Sequence, residues 1–322
     1  MIFLIKKIGV LTSGGDSPGM NAAIRAVART ALCSEIEVFG IQNGFAGLVA
    51  GDIKKINHEQ VGGIINQGGT FLGSARLPEF RELEVRQKAV DHLKKHGIQA
   101  LVVIGGDGSY AGAAALTAMG INCIGVPGTI DNDIVSTDLT IGFDTALNTA
   151  VEAIDRLRDT SSSHARCNVV EIMGRNCGDL SMYAGLAGGA EDVIVAEKGF
   201  HIEEIVNQIE EGKARGKKHY VIVLAEKFLD AHKLAMELEE ITTIATRATI
   251  LGHIQRGGRP SAMDRVLASR MGSYAVELLK QGLGGRCVAI NENRLQHFDI
   301  IEALEMEREF DEELYVLTKK LS

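Results

Sequence analysis

Two glycine-rich segments contain the residues whose types best suit phosphate chemistry. They are residues 12–16, with the sequence TSGGD, and residues 105–109, with the sequence GGDGS. Each follows a short run of Val, Ile and Leu, which predicts a buried strand ahead of the turn. Glycine lets phosphate oxygens approach the backbone, and the helix that follows presents free N–H groups. One such segment could be a plain strand-to-helix turn, but two of them favour a phosphate site.

An acidic residue inside the second segment predicts a metal ion. Asp107 would repel a phosphate group unless Mg²⁺ lay between them, so this carboxylate is a candidate Mg²⁺ ligand. Neither segment fits the P-loop pattern, because no Lys followed by Ser or Thr comes after the glycines. No clear G-x-G-x-x-G pattern occurs either, which argues against a dinucleotide site.

Residues 129–133, with the sequence TIDND, place two carboxylates just beyond another predicted strand. In an extended backbone Asp131 and Asp133 would point the same way. One could then act as a general base while the other binds or orients a metal ion. Because Asp and Asn also favour turns, a plain turn with capping side chains explains the segment equally well.

Several basic residues could neutralise the charge of bound phosphates. Arg175 follows a predicted strand, and His253 and Arg256 lie three residues apart, one helical turn, in a glycine-flanked apolar segment. Arg166 and Arg247 are further candidates. Arginine binds phosphate through two parallel hydrogen bonds and keeps its charge at any physiological pH. A single arginine is most often a solvated surface charge, but the glycine-flanked segment fits that explanation poorly.

The elements that must position these residues alternate between strand and helix. Continuous Val, Ile and Leu runs predict strands buried on both faces, and the alternation predicts an α/β architecture with a parallel sheet. In such sheets ligands bind at the carboxyl ends of the strands. Later strands are predicted at residues 169–172, 192–195, 220–224, 246–251 and 287–290. A helix is predicted from Asp144, as its N-cap, to about Thr160, with residues 161–163 as its end.

Composition limits the possible function classes. The chain has 322 residues and a formal net charge of −8, which argues against nucleic-acid or anionic-membrane partners. Its length predicts roughly two domains, and no Pro/Gly/Ser-rich linker separates them. The five cysteines contain no C-x-x-C pair, and no apolar run reaches the ~18 residues of a bilayer span. We therefore expect a reduced, cytoplasmic protein. The 37 glycines indicate many turns in which the backbone comes close to a ligand or another segment.

Taken together, these segments resemble those of the ATP-dependent 6-phosphofructokinase family, in its bacterial form. The resemblance extends from Lys6 to the C-terminus and rests on residues 11–16, 68–76, 105–109, 127–133, 173–175 and 252–258. It implies two three-layer α/β domains with mostly parallel sheets. The ATP-binding domain would comprise residues 1–141 and 254–305, and the sugar-phosphate-binding domain residues 142–253 and 306–322. It further implies a homotetramer in which neighbouring subunits share active sites.

The resemblance implies a glycolytic kinase that transfers the γ-phosphoryl group of MgATP to the 1-hydroxyl of fructose 6-phosphate. Asp131 matches the general base, Asp107 the Mg²⁺ ligand and Asp133 a supporting carboxylate. The other matches near the reacting groups are Thr129, Arg175 and Arg76. The ATP-site matches are Gly15, Arg76, Leu77, Gly106, Asp107, Gly108, Ser109 and Gly112. The sugar-phosphate matches are Thr129, Ile130, Asp131, Met173, Gly174, Arg175, Glu226, His253 and Arg256, with Arg166 and Arg247 supplied by the neighbouring subunit.

The resemblance also implies an effector site for ADP or phosphoenolpyruvate at a subunit interface. Its matches are Arg25, Arg29, Arg158, Gly189, Glu191, Arg215, Lys217, Lys218 and His219. His58 and Gly63 depart from the better-known members, which carry arginine and aspartate at these positions. Because neutral His58 removes a fixed positive charge, we expect a weakened or altered effector response. Phe45 and Leu77 also differ, near the expected adenine, but keep an apolar character.

Three alternatives share parts of this pattern. Pyrophosphate-dependent members of the family tend to carry aspartate at the position of Gly108 and lysine at that of Gly128, whereas glycine at both positions leaves room for ATP. Lipid and NAD kinases share the Gly-Gly-Asp-Gly turn but not the segment of His253 and Arg256, nor residues 129–131. A non-catalytic sugar-phosphate sensor could lose the predicted catalytic carboxylates and arginine, all of which are present.

Overall fold

The structure, a computed structural model, describes residues 5–321. Its strands are β1 (Lys7–Thr12), β2 (Glu37–Ile41), β3 (Ile53–Ile56), β4 (Ala100–Gly105), β5 (Asn122–Thr129), β6 (Ile141–Gly142), β7 (Cys167–Ile172), β8 (Asp192–Ile194), β9 (Tyr220–Ala225), β10 (Thr246–Ile250), β11 (Arg286–Asn291) and β12 (Arg294–Asp299). Its α-helices are α1 (Met20–Cys33), α2 (Gly44–Ala50), α3 (Leu83–His96), α4 (Asp107–Ala118), α5 (Phe143–His164), α6 (Asp179–Gly188), α7 (Ile202–Ala214), α8 (Ala231–Thr242), α9 (Ala262–Lys280), α10 (Ile300–Glu305) and α11 (Glu312–Leu321). Short 3₁₀ helices cover Pro78–Arg81 and Gly252–Arg256.

The first of two compact units contains the larger sheet. It comprises the described residues up to Ile130, together with Ile134–Thr145 and Arg256–Arg308. The sheet has the order β12-β11-β5-β4-β1-β2-β3, and β6 pairs with the end of β5. All strand pairs are parallel except β2 with β3 and β11 with β12. Every residue of β4 is buried, as its continuous apolar sequence predicts for a strand covered on both faces.

The second unit contains a smaller, wholly parallel sheet. It comprises Asp131–Asp133, Ala146–Gln255 and the described residues from Glu309 onward. The strand order is β10-β7-β9-β8. Apolar side chains of α7 and α8, such as Ile209 and Leu238, pack with strand residues of this sheet in one buried cluster. The alternation of strands and helices, and the mostly parallel sheets, confirm the predicted fold class.

The division into units differs in detail from the predicted domains. It assigns Asp131–Asp133 to the second unit, and it places the next changes of unit at Thr145, Gln255 and Arg308. Which ligand each unit binds stays a prediction. The predicted domain ends at residues 1–4 and 322 lie outside the described residues. Of the helices within residues 5–321, none combines the length and the apolar character needed to cross a bilayer.

The start of α5 differs from its prediction. Asp144 lies in the first turn of the helix and is not its N-cap. Asp264, from the start of α9, accepts hydrogen bonds from the N–H groups of Gly142 and Thr145, at 2.8 Å each. Asp144 instead accepts a hydrogen bond from the Ser261 hydroxyl at 2.5 Å. A carboxylate more than a hundred positions away in sequence thus replaces the local cap, which no local sequence pattern can show.

Candidate active site

The two glycine-rich turns lie together at the carboxyl ends of neighbouring strands in the larger sheet. Strands β1 and β4 are parallel neighbours, so their carboxyl ends meet there. The N–H of Ser13 donates to the carbonyl of Ile104 at 3.0 Å, and the Ser109 hydroxyl donates to the carbonyl of Ser13 at 3.1 Å. A Cβ on Gly105 would lie 2.5 Å from that same carbonyl oxygen, so only glycine fits. The structure therefore brings the two predicted phosphate turns into direct contact.

A third segment, residues 68–76, is bound to the first turn. The Ser74 hydroxyl donates to the carbonyl of Gly14 at 2.6 Å, and the Thr12 hydroxyl donates to the carbonyl of Gly73 at 2.8 Å. Arg76 follows two residues later with an exposed side chain. An exposed arginine two residues beyond a segment bound to the glycine turn is available to an anionic ligand.

The N-terminus of α4 presents the predicted metal ligand. Asp107 is the first residue of the helix, and Gly106, the N-cap, has no side chain to satisfy the free N–H groups. The Cβ position on Gly106 lies 3.9 Å from the Cβ of Thr129, so the end of β5 is adjacent. Within residues 5–321, no three His, Cys, Asp or Glu side chains converge as a metal cage. Mg²⁺ bound through one or two carboxylates and the phosphates of its nucleotide needs no such cage, so Asp107 fits that role.

The glycines at positions 108, 112 and 128 differ in whether neighbouring atoms leave room for a side chain. A Cβ on Gly112 would lie 2.6 Å from the ring of Phe45, and one on Gly128 would lie 2.9 Å from a methyl group of Ile104. Packing alone therefore accounts for both glycines. By contrast, a Cβ on Gly108 would have no atom of the described chain within 4 Å, and this position is exposed. Packing within the described chain therefore does not account for Gly108, which is consistent with the predicted close approach of a phosphate at this position.

Arg256 lies against the first glycine turn. Its Nη1 donates to the carbonyl of Asp16 at 3.2 Å, and a Cβ on Gly15 would lie 2.5 Å from the same nitrogen. His253, in the same 3₁₀ helix, is exposed and belongs to the second unit. The structure thus assigns the predicted pair of phosphate ligands to different units.

In the second unit, the segment with the candidate base is not extended. Asn132 has φ +51°, the left-handed conformation, so the expectation that an extended backbone aligns the Asp131 and Asp133 side chains is wrong. Asparagine adopts this conformation more readily than most residues, and its amide Nδ2 donates to Oδ2 of Asp179 at 3.0 Å. Asp131 is 5% exposed, so a base at this position is shielded from bulk water.

The carboxylate of Asp133 pairs with the candidate arginine. Its Oδ2 lies 3.4 Å from Nη1 of Arg175, whose side chain is 53% exposed. Its Oδ1 is buried and has no hydrogen-bond partner within residues 5–321. A buried carboxylate oxygen without a donor suits a cation, which is consistent with the predicted supporting role near Mg²⁺.

The loop after β7 holds Arg175 in a defined conformation. A Cβ on Gly174, at φ +150°, would lie 2.6 Å from the carbonyl of Cys177, so this position requires glycine. Arg175 itself has φ +61°, and its N–H donates to Oε1 of Glu226 at 2.8 Å. Glu226 thus fixes the arginine backbone at the carboxyl ends of β7 and β9. This contact places two predicted sugar-site residues side by side.

A third carboxyl lies near Glu226. Burial raises the pKa of Glu171, in β7, and the charges of Glu226 and Asp230 raise it further, while His232 opposes them. Glu171 therefore takes up a proton more readily than an ordinary glutamate as the pH falls.

Two buried polar residues contact predicted site residues but were not predicted from the sequence. Gln255 is fully buried, and its Oε1 accepts the N–H of Met173 at 2.9 Å. Asp179 is the partner of Asn132 described above. Gln255 lies inside the glycine-flanked segment already singled out, so its position was a usable signal. Asp179 belongs to no such segment, and nothing in the sequence connects it with Asn132.

Arg166 and Arg247 lie at the opposite end of the smaller sheet from Met173. Arg166 directly precedes β7, and Arg247 is the second residue of β10, paired with Asn168. Met173 follows the other end of β7, roughly 20 Å away at about 3.3 Å per residue. Arg247 binds Glu239 across 2.9 Å. One chain therefore does not bring these two arginines together with its own Met173–Arg175 loop.

The predicted effector residues fall into one group per unit. In the second unit, Arg158 donates to the carbonyls of Gly188 and Gly189 at 2.5 Å each, and Lys217 pairs with buried Glu191 at 2.8 Å. The others there, Arg215, Lys218 and His219, are exposed or half-buried.

In the first unit, Arg25 and Arg29 share one face of α1. Burial lowers the pKa of Arg25, and the charge of Arg29 lowers it further, so two cations lie close together. His58 is exposed, and a Cβ on Gly63 would have no described atom within 4 Å.

Comparison with known proteins agrees with this geometry. The phosphofructokinase family profile matches residues 7–279. The chain is 62% identical over 319 residues to the ATP-dependent 6-phosphofructokinase of Vibrio cholerae, covering 99% of this chain and all of the relative. The structure of phosphofructokinase from Saccharomyces cerevisiae superimposes with a TM-score of 0.86 at 37% identity, over 93% of this chain and 45% of the yeast chain. A pyrophosphate-dependent phosphofructokinase from Marinobacter aquaeolei shares the fold, with a TM-score of 0.82 at 22% identity over 93% of this chain and 84% of its own. The chain therefore belongs to the phosphofructokinase family.

Proposed function

We propose that this chain is an ATP-dependent 6-phosphofructokinase, which transfers the γ-phosphoryl group of ATP to the 1-hydroxyl of fructose 6-phosphate. The observation that carries the proposal is the group of buried Asp131, adjacent Asp133 and the arginine paired with it, Arg175. It supplies a shielded base and a cation for the charge of a transferring phosphoryl group. The relative from Vibrio cholerae, which is similar over its whole length, supports the same activity.

In the proposed reaction each residue has one task. Asp131 takes the proton from the attacking 1-hydroxyl, and Arg175 neutralises charge on the group in transfer. The two contacting glycine turns, with exposed Arg76, bind the phosphates of ATP through backbone N–H groups. Bound Mg²⁺ would neutralise phosphate charge, and Asp107 would hold it, with Asp133 in a supporting role. Thr129, Ile130, Met173, Gly174, Glu226, His253 and Arg256 would contact the sugar phosphate.

A coupled assay with fructose 6-phosphate, comparing ATP with pyrophosphate, tests the proposal. We expect turnover with ATP and Mg²⁺ and none above background with pyrophosphate. Turnover with pyrophosphate alone would show that the family alternative is correct. No turnover with either donor would overturn the assignment of the reaction itself.

We further propose that active sites are shared between subunits of a homotetramer. The support is the position of Arg166 and Arg247, about one strand length from the Met173–Arg175 loop of their own chain. A second copy of the chain could bring its arginines to that loop from outside. Each site would then combine Asp131 from one chain with Arg247 from its neighbour.

Subunit complementation checks this arrangement. Asp131→Ser and Arg247→Ala are each expected to be nearly inactive, because every site lacks one essential group. The two variants are mixed 1:1, dissociated and reassociated, so that half of the subunit pairs that share sites contain one copy of each variant. In each of these mixed pairs one of the two active sites has both Asp131 and Arg247. Activity should therefore rise to roughly a quarter of wild type. A mixture that stays inactive after proven subunit exchange would contradict shared sites.

We also propose that ADP or phosphoenolpyruvate binds near the cationic groups on α1 and around Glu191, with a weakened response. Exposed His58 supports the weakening, because an imidazole does not provide the fixed charge of an arginine for an anion. Phosphoenolpyruvate should shift the initial rate only slightly at sub-saturating fructose 6-phosphate.

The double variant His58→Arg with Gly63→Asp should increase that inhibition several-fold, since both positions are open enough to accept the new side chains. Strong cooperative inhibition of the wild type at pH 8 would contradict the weakened response.

A further inference from the structure

Asn132 lies between the two carboxylates of the proposed site. Its backbone is left-handed, with φ +51°, which non-glycine residues seldom adopt and asparagine tolerates better than most. This conformation turns the chain between Asp131 and Asp133 and so sets the directions in which both side chains point. The base and its neighbour are therefore aimed by the residue between them.

Asp179 holds Asn132 in place from a different element. The amide Nδ2 donates to Oδ2 of Asp179 at 3.0 Å, and the two side chains are 5% and 8% exposed. Because the bond is charge-assisted and shielded from water, it is stronger than an ordinary side-chain hydrogen bond. Asp179 is the first residue of α6, where the helix N-terminus stabilises a negative charge.

The same start of α6 also fixes the loop that carries Arg175. The N–H of Cys177 donates to the carbonyl of Gly174 at 3.0 Å, and the N–H of Gly178 donates to Oε1 of Glu197 at 2.8 Å. Asn132 is therefore attached to the element that immediately follows the arginine loop. Oδ2 of Asp133 lies 3.4 Å from Nη1 of Arg175. Loss of the attachment of Asn132 to α6 would change this distance.

We propose that Asn132 and Asp179 form a positioning pair for phosphoryl transfer. Asp179 binds the amide of Asn132, and the left-handed backbone of Asn132 aims Asp131 at the proton and Asp133 at its cationic partner. The inference rests on the proposed role of Asp131. A pair that acts only by positioning Asp131 and Asp133 makes no substrate contact of its own, so its loss should lower kcat and leave substrate binding largely unchanged.

Reciprocal exchange of the two side chains tests the pair. Asn132→Asp sets two carboxylates against each other, and a displacement of about 1 Å should lower kcat about 10²-fold. The KM values for ATP and fructose 6-phosphate should stay within about threefold of wild type. The double variant Asn132→Asp with Asp179→Asn restores an amide–carboxylate pair in the opposite order. Its kcat should recover at least about tenfold over the single variant, although position 132 still carries the added charge.

Two further variants separate the hydrogen bond from the backbone conformation. Asn132→Gly permits the left-handed backbone but removes the amide, and we expect an intermediate loss of kcat. Asp179→Ala keeps Asn132 but removes its acceptor and should resemble Asn132→Asp in kcat. Asp159→Asn, at an exposed position in α5, is the matched control and should behave as wild type. Thermal melts identify any variant that fails to fold, and kinetics are compared among the folded ones.

The kinetic results distinguish a positioning role of Asn132 and Asp179 from a role in substrate binding and from no role. Wild-type kcat in folded Asp179→Ala, or no recovery in the reciprocal double variant, would overturn the positioning pair. A loss confined to KM would also overturn it, because the residues would then act in binding. The proposed function fails separately, through an inactive wild type, and the proposed role of Asp131 fails through an Asp131→Asn variant with near-normal kcat.

Discussion

Replacing Asp131 by serine is expected to lower kcat by at least about 10²-fold while the KM for both substrates stays within about threefold. The carboxylate is almost fully buried, so no water or buffer base can easily replace it. Serine is smaller and uncharged, so the substrate phosphates lose no cationic partner. Initial rates in the coupled assay, over ranges of ATP and fructose 6-phosphate, give the separate constants.

Two controls make that result specific to the base. Asp131→Asn keeps the size of the side chain and removes only its basicity, so it should be as impaired as Asp131→Ser. Asp155→Ser changes an exposed aspartate of α5 and should leave both constants unchanged. A near-normal kcat in folded Asp131→Ser would remove Asp131 from the proposed mechanism.

Replacing Gly108 by aspartate should lower kcat/KM for ATP by about 10²-fold, with little effect on the KM for fructose 6-phosphate. The new carboxylate would stand at the exposed start of α4, beside the proposed path of the nucleotide phosphates, and would repel them. The fold should tolerate the change, because no described atom lies within 4 Å of the new Cβ. An acidic residue in the first turn of a helix is also favourable in itself.

Ala111→Asp is the matched control for this prediction. It adds the same charge to the same helix, at an exposed position one turn further on. Both variants should melt within about 2 °C of wild type, which corresponds to a change of no more than about 1.4 kcal/mol in a chain of this size. Unchanged kcat/KM for ATP in Gly108→Asp would place the nucleotide phosphates elsewhere.

The sequence was sufficient for features that depend on local residue order. Strand β4 is a continuous apolar run and is buried throughout, and the glycine turn after it starts α4 as predicted. The family resemblance located the predicted site residues, and the structure brings several of them together. Ser109 contacts the first turn, and Arg175 contacts both Asp133 and Glu226. Such contacts follow from parallel strands whose carboxyl ends share one edge.

What the sequence did not show depends on partners that are distant along the chain. Asp264 caps α5 from 119 positions away, and Asp179 binds Asn132 from 47 positions away. Each partner is an ordinary buried carboxylate whose role comes only from tertiary packing. The backbone conformation of Asn132 was left open for a different, local reason, since Asp and Asn fit a turn and a strand end equally well.

If positions 108 and 128 set the phosphoryl donor, as the resemblance implies, the contrast between Gly108 and Gly128 bears on how that donor could change. Aspartate at position 108 would cost the protein nothing in packing, whereas lysine at position 128 would collide with Ile104 and Met20 unless these side chains moved. An evolving lineage could therefore acquire aspartate at position 108 without loss of folding stability. Lysine at position 128 would need compensating changes in the core. Donor exchange starting from this sequence should begin at position 108, and reconstructed ancestors should show that order.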